Sequence, residues 1–273
     1  MLGFIRKLFF KKEFKHYDFT VVHFELENEG KIEFAQWLHP GEQPVVIDQS
    51  SVDFYKLFIK HGDLVLDIGT HAGDTTVPMA LAAGKSGLVL GFEPNPHVYH
   101  VLYANSKLNK AKTNIIPLNF AVTAQDGEFT FASGDASFNN GGIMGFSSNI
   151  QKNNRFTFKV VGKNLELFLN SNYAEWLPKL AMIKIDAEGY DKEILKTIPN
   201  IISKFKPVII TECFKHLTTQ ERDELFDSIA NHGYRLYYID GFVNGKQRRE
   251  INRKAMNDEK HFDLVGIPDH ITL

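Results

Sequence analysis

Short, nearly continuous apolar runs recur along the chain and predict a parallel β-sheet. The clearest runs are Leu64–Ile68, Leu88–Phe92 and residues 181–185. A strand that is apolar at successive positions is covered on both of its faces, which is typical of a parallel sheet. Segments with helical character separate these runs. We therefore expect a doubly wound α/β domain, in which a ligand binds beyond the carboxyl ends of the strands.

The rest of the pattern predicts the other elements and a small segment in front of them. Alternation at residues 19–26, 32–38 and 45–48 predicts strands, so we expect a β-rich N-terminal cap at residues 1–49 and the main domain at residues 50–273. The helices predicted for the main domain are 50–60 with Ser50 or Ser51 as N-cap, 74–83, 97–108, 190–198, and one that Thr218 or Thr219 caps and that runs to 231. The further strands predicted are 114–120, 128–132, 156–161, 207–211, 234–239 and 262–267.

Two long segments have no regular pattern. Residues 133–154 are rich in Ser, Gly and Asn but also contain Phe138, Met144 and Phe146. A long irregular loop inside a domain is usually either functional or disordered, so we expect a flexible lid or a disordered insert. Residues 241–260 are polar and charged, and we expect them to be an excursion from the fold.

A glycine-containing turn follows the first buried strand and predicts a ligand cradle. Asp67 ends that strand, Gly69 and Gly73 follow, and Thr75 and Thr76 stand where a helix begins. Glycine lets a backbone approach a ligand closely, and a helix start offers unpaired N–H groups. The spacing differs from the G-x-G-x-x-G of dinucleotide enzymes, and such glycines also close ordinary turns.

Acidic residues stand at or next to the ends of four predicted strands: Asp67, Glu93, Asp186 and Glu212. Glu93 ends the second strand, where a carboxylate can accept hydrogen bonds from both hydroxyls of a ribose. Because parallel strands end at one edge of a sheet, four carboxylates there indicate a site. We therefore favour ligand binding over a purely structural role for this edge.

The composition is globular and sets limits on function. The chain has 273 residues, 43% hydrophobic content and a net charge of −2. This charge gives no electrostatic case for binding nucleic acid. The single cysteine, Cys213, excludes a disulfide scaffold or a cysteine zinc site within one chain, and a reducing, cytoplasmic setting is the simpler expectation.

The N-terminal residues 1–15 mix apolar and basic side chains. The apolar stretch is too short and interrupted for a secretory signal, and no run in the chain is long enough to span a membrane. Either this segment docks on the domain or frays, or it makes a weak peripheral contact with an anionic membrane surface.

These features together resemble the FkbM family of S-adenosylmethionine (SAM)-dependent methyltransferases, over roughly residues 62–268. The resemblance rests on Val65-Leu66-Asp67-Ile68-Gly69, Gly73, Phe92-Glu93-Pro94-Asn95-Pro96, Lys184-Ile185-Asp186-Ala187-Glu188-Gly189 and Glu212. It implies a Rossmann-like class I methyltransferase fold, with a seven-stranded, mostly parallel sheet whose last strand is antiparallel. It also implies methylation of a hydroxyl on a sugar, a glycan or a small metabolite.

Two sets of site residues follow. The residues expected around SAM are Asp67, Gly69, Thr70, His71, Gly73, Thr76, Glu93, Asn95, Asn119 and Ala121. His71 stands where the family often has Asn. The candidates for activating the acceptor hydroxyl are Asp186, Glu188, Glu212 and His216, and Asp186 with Glu212 could hold Mg²⁺.

Several alternatives stay open at this stage. Glu188 could instead accept backbone N–H bonds at a helix start, and His216 could be exposed surface. Lys184 lies inside a buried strand, so we expect it to pair with a carboxylate. A SAM-binding protein without turnover and a nucleic-acid methyltransferase are the competing functions, while the oligomeric state is not predicted.

Overall fold

A mixed eight-stranded sheet organises the computed structural model, which describes residues 15–134, 141–144, 156–243 and 248–271. From one edge to the other the strands are β13 (Arg248–Ile251), β12 (Tyr234–Ile239), β14 (Phe262–Pro268), β11 (Val208–Cys213), β10 (Leu180–Ile185), β3 (Leu64–Ile68), β4 (Leu88–Phe92) and β5 (Ile115–Leu118). Strand β14 runs antiparallel to both β11 and β12, whereas β11, β10, β3, β4 and β5 pair in parallel. The expected antiparallel last strand is therefore confirmed.

The buried strands have apolar cores on both faces, as their sequence predicts. Leu66, Leu90 and Ile183 belong to one core, whereas Val65 and Val89 belong to another. Successive side chains of a strand point to opposite faces, so neighbouring residues enter different cores. The sheet is thus covered on both sides and leaves its edge of strand ends as the place for a site.

Within the described residues the helices are α1 (Gln49–Lys56), α2 (Thr76–Ala83), α3 (Pro96–Asn105), α4 (Leu165–Asn172), α5 (Asp191–Lys196), α6 (Pro199–Phe205) and α7 (Thr219–Ala230). Helix α1 begins earlier than predicted because Asp48, and not Ser50 or Ser51, is its N-cap and accepts a hydrogen bond from the Ser51 N–H. Thr218, one of the two threonines predicted as the cap of α7, is its N-cap and forms a capping box with Glu221. Helices α4 and α6 were not predicted.

The charged stretch near the C-terminus is more ordered than its polarity predicts. It contains strand β13 and a short 3₁₀-helix, Lys254–Asn257. The buried guanidinium of Arg222 donates hydrogen bonds to the carbonyl oxygens of Met256, Glu259 and Lys260. These bonds satisfy carbonyl groups that no strand pairs, so the described part of the stretch is fixed to α7.

An antiparallel hairpin lies ahead of the main sheet. It consists of β1 (Phe19–Leu26) and β2 (Gly30–Trp37) and confirms the first two predicted strands. Residues 45–48 do not form the third strand. Asn105 of α3 bonds to the backbone N–H and C=O of Ala35, so the hairpin is tied to the main domain. The division at residue 49 stays a prediction.

A second sheet of four strands joins β6 (Ala121–Val122), β9 (Phe156–Lys163), β7 (Gly127–Ser133) and β8 (Gly142–Ile143). It confirms the predicted strands at residues 128–132 and 156–161. Strand β8 belongs to the predicted lid and pairs with β7. The rest of that loop, including Phe138 and Phe146, lies outside the described residues, as do residues 1–14. In the described ranges, no helix is long and apolar enough to cross a membrane.

Candidate active site

A cavity of about 410 Å³ lies at the carboxyl ends of β3, β4 and β10. Gly69 and Glu93 line it from the ends of the first two strands, and Asp186 lines it from the end of the third. Apolar side chains after β5 and in the second sheet close another side: Phe120, Ala121, Val122, Phe131 and Ile143. The cavity therefore occupies the edge at which the sequence predicts a site.

Gly69 allows two strand ends to approach each other. Its φ is +82°, and a Cβ at this position would lie 1.8 Å from the carbonyl oxygen of Asp186. The backbone N–H of Asp186 also donates to the carbonyl of Ile68 at 2.8 Å. Because any side chain would collide with the backbone there, only glycine fits, and this turn forms part of the cavity wall.

Asp67 lies behind the cavity and not on its surface. It is completely buried, and its Oδ2 accepts hydrogen bonds from the hydroxyls of Thr76 at 2.6 Å and Thr75 at 3.2 Å. Burial raises the pKa of Asp67, although Lys184, 3.8 Å away, and Thr76 lower it. Asp67, which was expected around SAM, thus fixes the turn to the start of α2.

The other residues predicted around this turn divide between the surface and the interior. His71 lines the cavity, and so do Thr75 and Asp74, which were not predicted. Thr70, Gly73 and Thr76 do not line it. Thr76 bonds to Asp67, while the N–H of Gly73 closes the turn by donating to the carbonyl of Thr70. Spacing alone could not separate the two groups because they alternate along one turn.

Glu93 presents its carboxylate to the cavity from the end of β4. Its Oε2 accepts a hydrogen bond from the His71 N–H at 2.9 Å, and its Oε1 accepts one from the Asn95 N–H at 2.8 Å. Burial raises the pKa of Glu93, while His71 and the two backbone N–H groups lower it. An ionised carboxylate has about four acceptor positions, so two remain for a diol.

Asn95 and Asn119 both organise the turn that carries Glu93. Asn95 lines the cavity and caps α3 by accepting the N–H of His97 at 3.0 Å. The Asn119 amide donates to the carbonyl of Glu93 at 2.8 Å and does not line the cavity. Two neighbours of Asn119 do line the cavity: Ala121, which was predicted around SAM, and Phe120, which was not.

Three charged side chains define the opposite side of the cavity, at the end of β10: Lys184, Asp186 and Glu188. Lys184 Nζ lies 3.4 Å from Asp186 Oδ2 and 3.8 Å from Asp67 Oδ1, which confirms the expected pairing. Burial alone would lower the pKa of Lys184, but Asp186 and Asp67 raise it above the usual value. Lys184 is thus a fixed cation.

Glu188 combines partial burial with an unusual backbone. Its φ is +52°, and it lines the cavity. Burial, followed by the nearby charge of Asp186, raises the pKa of Glu188, whereas Lys215 and His71 lower it. A carboxylate with a raised pKa is a better proton acceptor near neutral pH.

Glu212 and His216, two of the candidates for activating the acceptor hydroxyl, lie outside the cavity lining. Glu212 Oε1 lies 2.6 Å from His261 Nε2. Burial and the carboxylates of Asp186 and Asp191 raise the pKa of Glu212 to about 9. His216 is exposed beside the ring of Phe214. In the described part of the chain, no three Asp, Glu, His or Cys side chains are placed to hold a metal ion.

The sheet order, with one antiparallel strand between two parallel neighbours, defines a Rossmann-like class I SAM-dependent methyltransferase fold. The family model described as "Methyltransferase FkbM domain" matches residues 67–236, more than half of the chain. The chain therefore belongs to the FkbM methyltransferase family, and its cofactor is SAM.

The chain is similar to the following proteins, each of them a distant relative. A hexuronic acid methyltransferase, AglP of Haloferax volcanii, is 25% identical over 148 residues, which are 54% of this chain and 55% of that protein. The chain thus spans about half the length of this curated relative. The solved FkbM methyltransferase of Methylobacillus flagellatus KT is 14% identical, with a TM-score of 0.45 over 77% of this chain and 44% of that one. A SAM-dependent O-methyltransferase of Thermotoga maritima is 12% identical, with a TM-score of 0.42 over 89% and 77%.

The cavity fits SAM on the evidence of its own residues. Glu93 has acceptor positions for two ribose hydroxyls, and Phe120, Val122 and Ile143 offer an apolar surface for a purine ring. The close turn at Gly69 leaves room for a ligand above the strand ends.

Proposed function

We propose that this protein transfers the methyl group of SAM to a hydroxyl group of a sugar. The observation that carries the proposal is one cavity lined by three carboxyl side chains: Glu93 at the end of β4, and Asp186 and Glu188 at the end of β10. The curated relative, a hexuronic acid methyltransferase by name, supports a sugar as the acceptor.

The donor half of the cavity would be formed by the strand ends β3 and β4. Glu93 would accept the ribose hydroxyls, while Asn95 and His71 keep its turn in place through the backbone bonds described above. The apolar residues after β5, Ala121 among them, would flank the adenine. SAM supplies an activated methyl group on a sulfonium. The protein's main contribution is to hold the acceptor oxygen in line with that group.

The acceptor hydroxyl is a weak nucleophile until its proton leaves, and the end of β10 supplies the groups for this step. Glu188, whose pKa is raised, would accept the proton. Asp186 would orient the hydroxyl, and its ion pair with Lys184 fixes its position. Mg²⁺ has no place in this proposal because Glu212, one of its two expected ligands, is engaged with His261 outside the cavity lining.

The test measures methyl transfer from labelled SAM to a panel of sugars and glycosides, together with SAM affinity by calorimetry. We expect Glu188→Gln to lower turnover by a factor of about 100 or more, since general-base catalysis contributes about 10²–10⁴. Its SAM affinity should stay within about threefold of the wild type. Glu166→Gln is the matched control, because Glu166 bonds to Asn200 on the surface of α4.

Three outcomes decide the proposal. A fall in methyl transfer in Glu188→Gln but not in Glu166→Gln supports the proposal. SAM binding without transfer to any hydroxyl acceptor would favour a binding protein over an enzyme. If Glu188→Gln and Glu166→Gln lower turnover equally, the carboxylate of Glu188 has no special part in the reaction.

A further inference from the structure

A second cavity of about 500 Å³ adjoins the first. The two share four lining residues: Glu42, Asp74, Thr75 and Phe242. Beyond these, the second cavity is lined by residues 41–46, by the start of α2 and by Ser51 and Tyr55 of α1. It therefore leads from the predicted donor site into the space between the N-terminal segment and the main sheet.

Tyr55 indicates that a polar ligand belongs in this space. Its side chain is 1% exposed, and its hydroxyl has no hydrogen-bond partner in the described ranges. A buried hydroxyl without a partner is unfavourable, so such a group is normally paired with a ligand or an ordered water. Its ring is stacked on Phe242 at a centroid distance of 6.2 Å, and both residues line the cavity, so the stacking fixes the ring in the cavity wall.

The shared wall carries carboxyl groups and an aromatic ring. Glu42 and Asp74 line both cavities, and Glu42 lies 3.7 Å from the ring of His71. Carboxylates accept hydrogen bonds from sugar hydroxyls, while the ring of Phe242 offers an apolar surface to the C–H face of a sugar.

The charge balance of the two cavities disfavours an anionic acceptor. The acidic side chains that line them are Glu42, Asp74, Glu93, Asp186 and Glu188. The lysine among the described lining residues, Lys184, is already paired with Asp67 and Asp186. A uronic acid would bring its carboxylate close to several like charges, and such juxtaposition is costly where water is scarce.

We propose that the second cavity is the acceptor subsite and that it takes an uncharged, hydroxyl-rich sugar residue. The hydroxyl of Tyr55 and the carboxylates of Glu42 and Asp74 bind the hydroxyls of that residue, and Phe242 packs against its face. This inference rests on the proposed sugar O-methylation and narrows it: a neutral sugar is preferred over a hexuronic acid.

The experiment uses matched pairs of methyl glycosides, each a neutral hexoside and the uronic acid that differs from it only at C6. Labelled SAM reports methyl transfer to each member, and calorimetry with S-adenosylhomocysteine reports donor-site affinity. We expect the neutral member to have a kcat/KM at least about tenfold higher, which is the size of one unfavourable charge contact of about 1.4 kcal/mol. Glu42→Gln removes one of the acidic groups and should therefore reduce the difference in kcat/KM between the neutral hexoside and the uronic acid.

Tyr55→Phe removes one hydroxyl and keeps the ring. We expect KM for the neutral hexoside to rise roughly 3- to 10-fold, the value of one hydrogen bond, while S-adenosylhomocysteine affinity does not change. Tyr103→Phe on the exposed side of α3 is the control and should change neither quantity. Thermal unfolding of all variants separates loss of binding from loss of fold.

The possible failures are distinguishable. If no glycoside is methylated although S-adenosylhomocysteine binds, the proposed function itself fails. If glycosides are methylated but the uronic acids are the better substrates, the charge reasoning is wrong. If Tyr55→Phe instead weakens S-adenosylhomocysteine binding, the second cavity holds the amino-acid end of the cofactor and is not an acceptor subsite.

Discussion

Replacing Lys184 with methionine should destabilise the protein through the charge that it leaves behind. Lys184 is 3% exposed, and its Nζ lies 3.8 Å from an oxygen of Asp67, which is completely buried. Methionine has a similar length but no charge. In the variant the Asp67 carboxylate would keep its two threonine hydroxyl bonds, yet no cation would balance it.

The expected loss can be estimated from this geometry. At an effective dielectric constant of about 20, two unit charges 3.8 Å apart attract each other by roughly 4 kcal/mol. Removal of one partner of a buried ion pair typically costs about 3–5 kcal/mol. Asp186, the second partner, is 44% exposed in its side chain, so solvent screens its contribution. For a chain of roughly this size the loss corresponds to a fall in Tm of about 6–20 °C.

Urea unfolding followed by tryptophan fluorescence measures the effect, with Lys184→Met/Asp67→Asn as the matched double variant. The double variant should recover at least half of the lost stability because it buries no unpaired charge. Burial already raises the pKa of Asp67, and removal of Lys184 raises it further. A carboxyl group whose pKa is higher in the folded than in the unfolded state costs stability as pH rises, so the deficit should be smaller at pH 5 than at pH 8. A loss of unfolding free energy below about 1 kcal/mol in Lys184→Met would refute the reasoning. Additive effects of the two substitutions in the double variant would refute it as well.

Two further predictions concern the neighbouring strand ends. Gly69→Ala should abolish SAM binding in calorimetry and lower Tm, because the new Cβ would lie 1.8 Å from the Asp186 carbonyl; wild-type affinity would contradict the close approach. Glu212→Gln should stabilise the protein more at pH 8 than at pH 5.5. The pKa of Glu212 is raised to about 9, so its ionisation increasingly favours the unfolded chain as pH rises from the unfolded value of about 4.5. A Tm difference between Glu212→Gln and the wild type that does not change with pH would contradict this prediction.

The sheet and its site edge follow closely from the sequence. A buried strand needs apolar residues at successive positions, and the runs at Leu64–Ile68 and Leu88–Phe92 could satisfy no other arrangement as well. Glu93 and Asp186 were predicted at the cavity because residues that end parallel strands meet at one edge. The family resemblance added the antiparallel strand, which periodicity does not reveal.

The direction of each side chain was the part that the sequence could not supply. Asp67 and Glu212 also stand at strand ends, yet one is turned towards Thr76 and the other towards His261. Asn119 is turned back onto the carbonyl of Glu93. These orientations depend on partners far away in the chain, and strand-end position alone does not identify them.

The elements that were missed have local causes. Helix α6 begins at Pro199, directly after the predicted helix 190–198, and proline is favourable in the first turn of a helix. Helix α4 has only eight residues, and its N-cap, Asn164, accepts a hydrogen bond from the N–H of Leu167. Tyr55 was not among the predicted site residues, because its missing hydrogen-bond partner is visible only in three dimensions.

The role of Glu93 is the central claim, and calorimetric titration of SAM into the wild type, Glu93→Ala and Asn119→Ala tests it most directly. Asn119→Ala removes hydrogen bonds from the same turn but keeps the carboxylate. The account predicts that Glu93→Ala weakens SAM binding by about 100-fold or more, since two hydrogen bonds to a charged group are worth roughly 3 kcal/mol or more. Asn119→Ala should cause a much smaller loss. Unchanged affinity in Glu93→Ala would contradict the placement of the cofactor in this cavity.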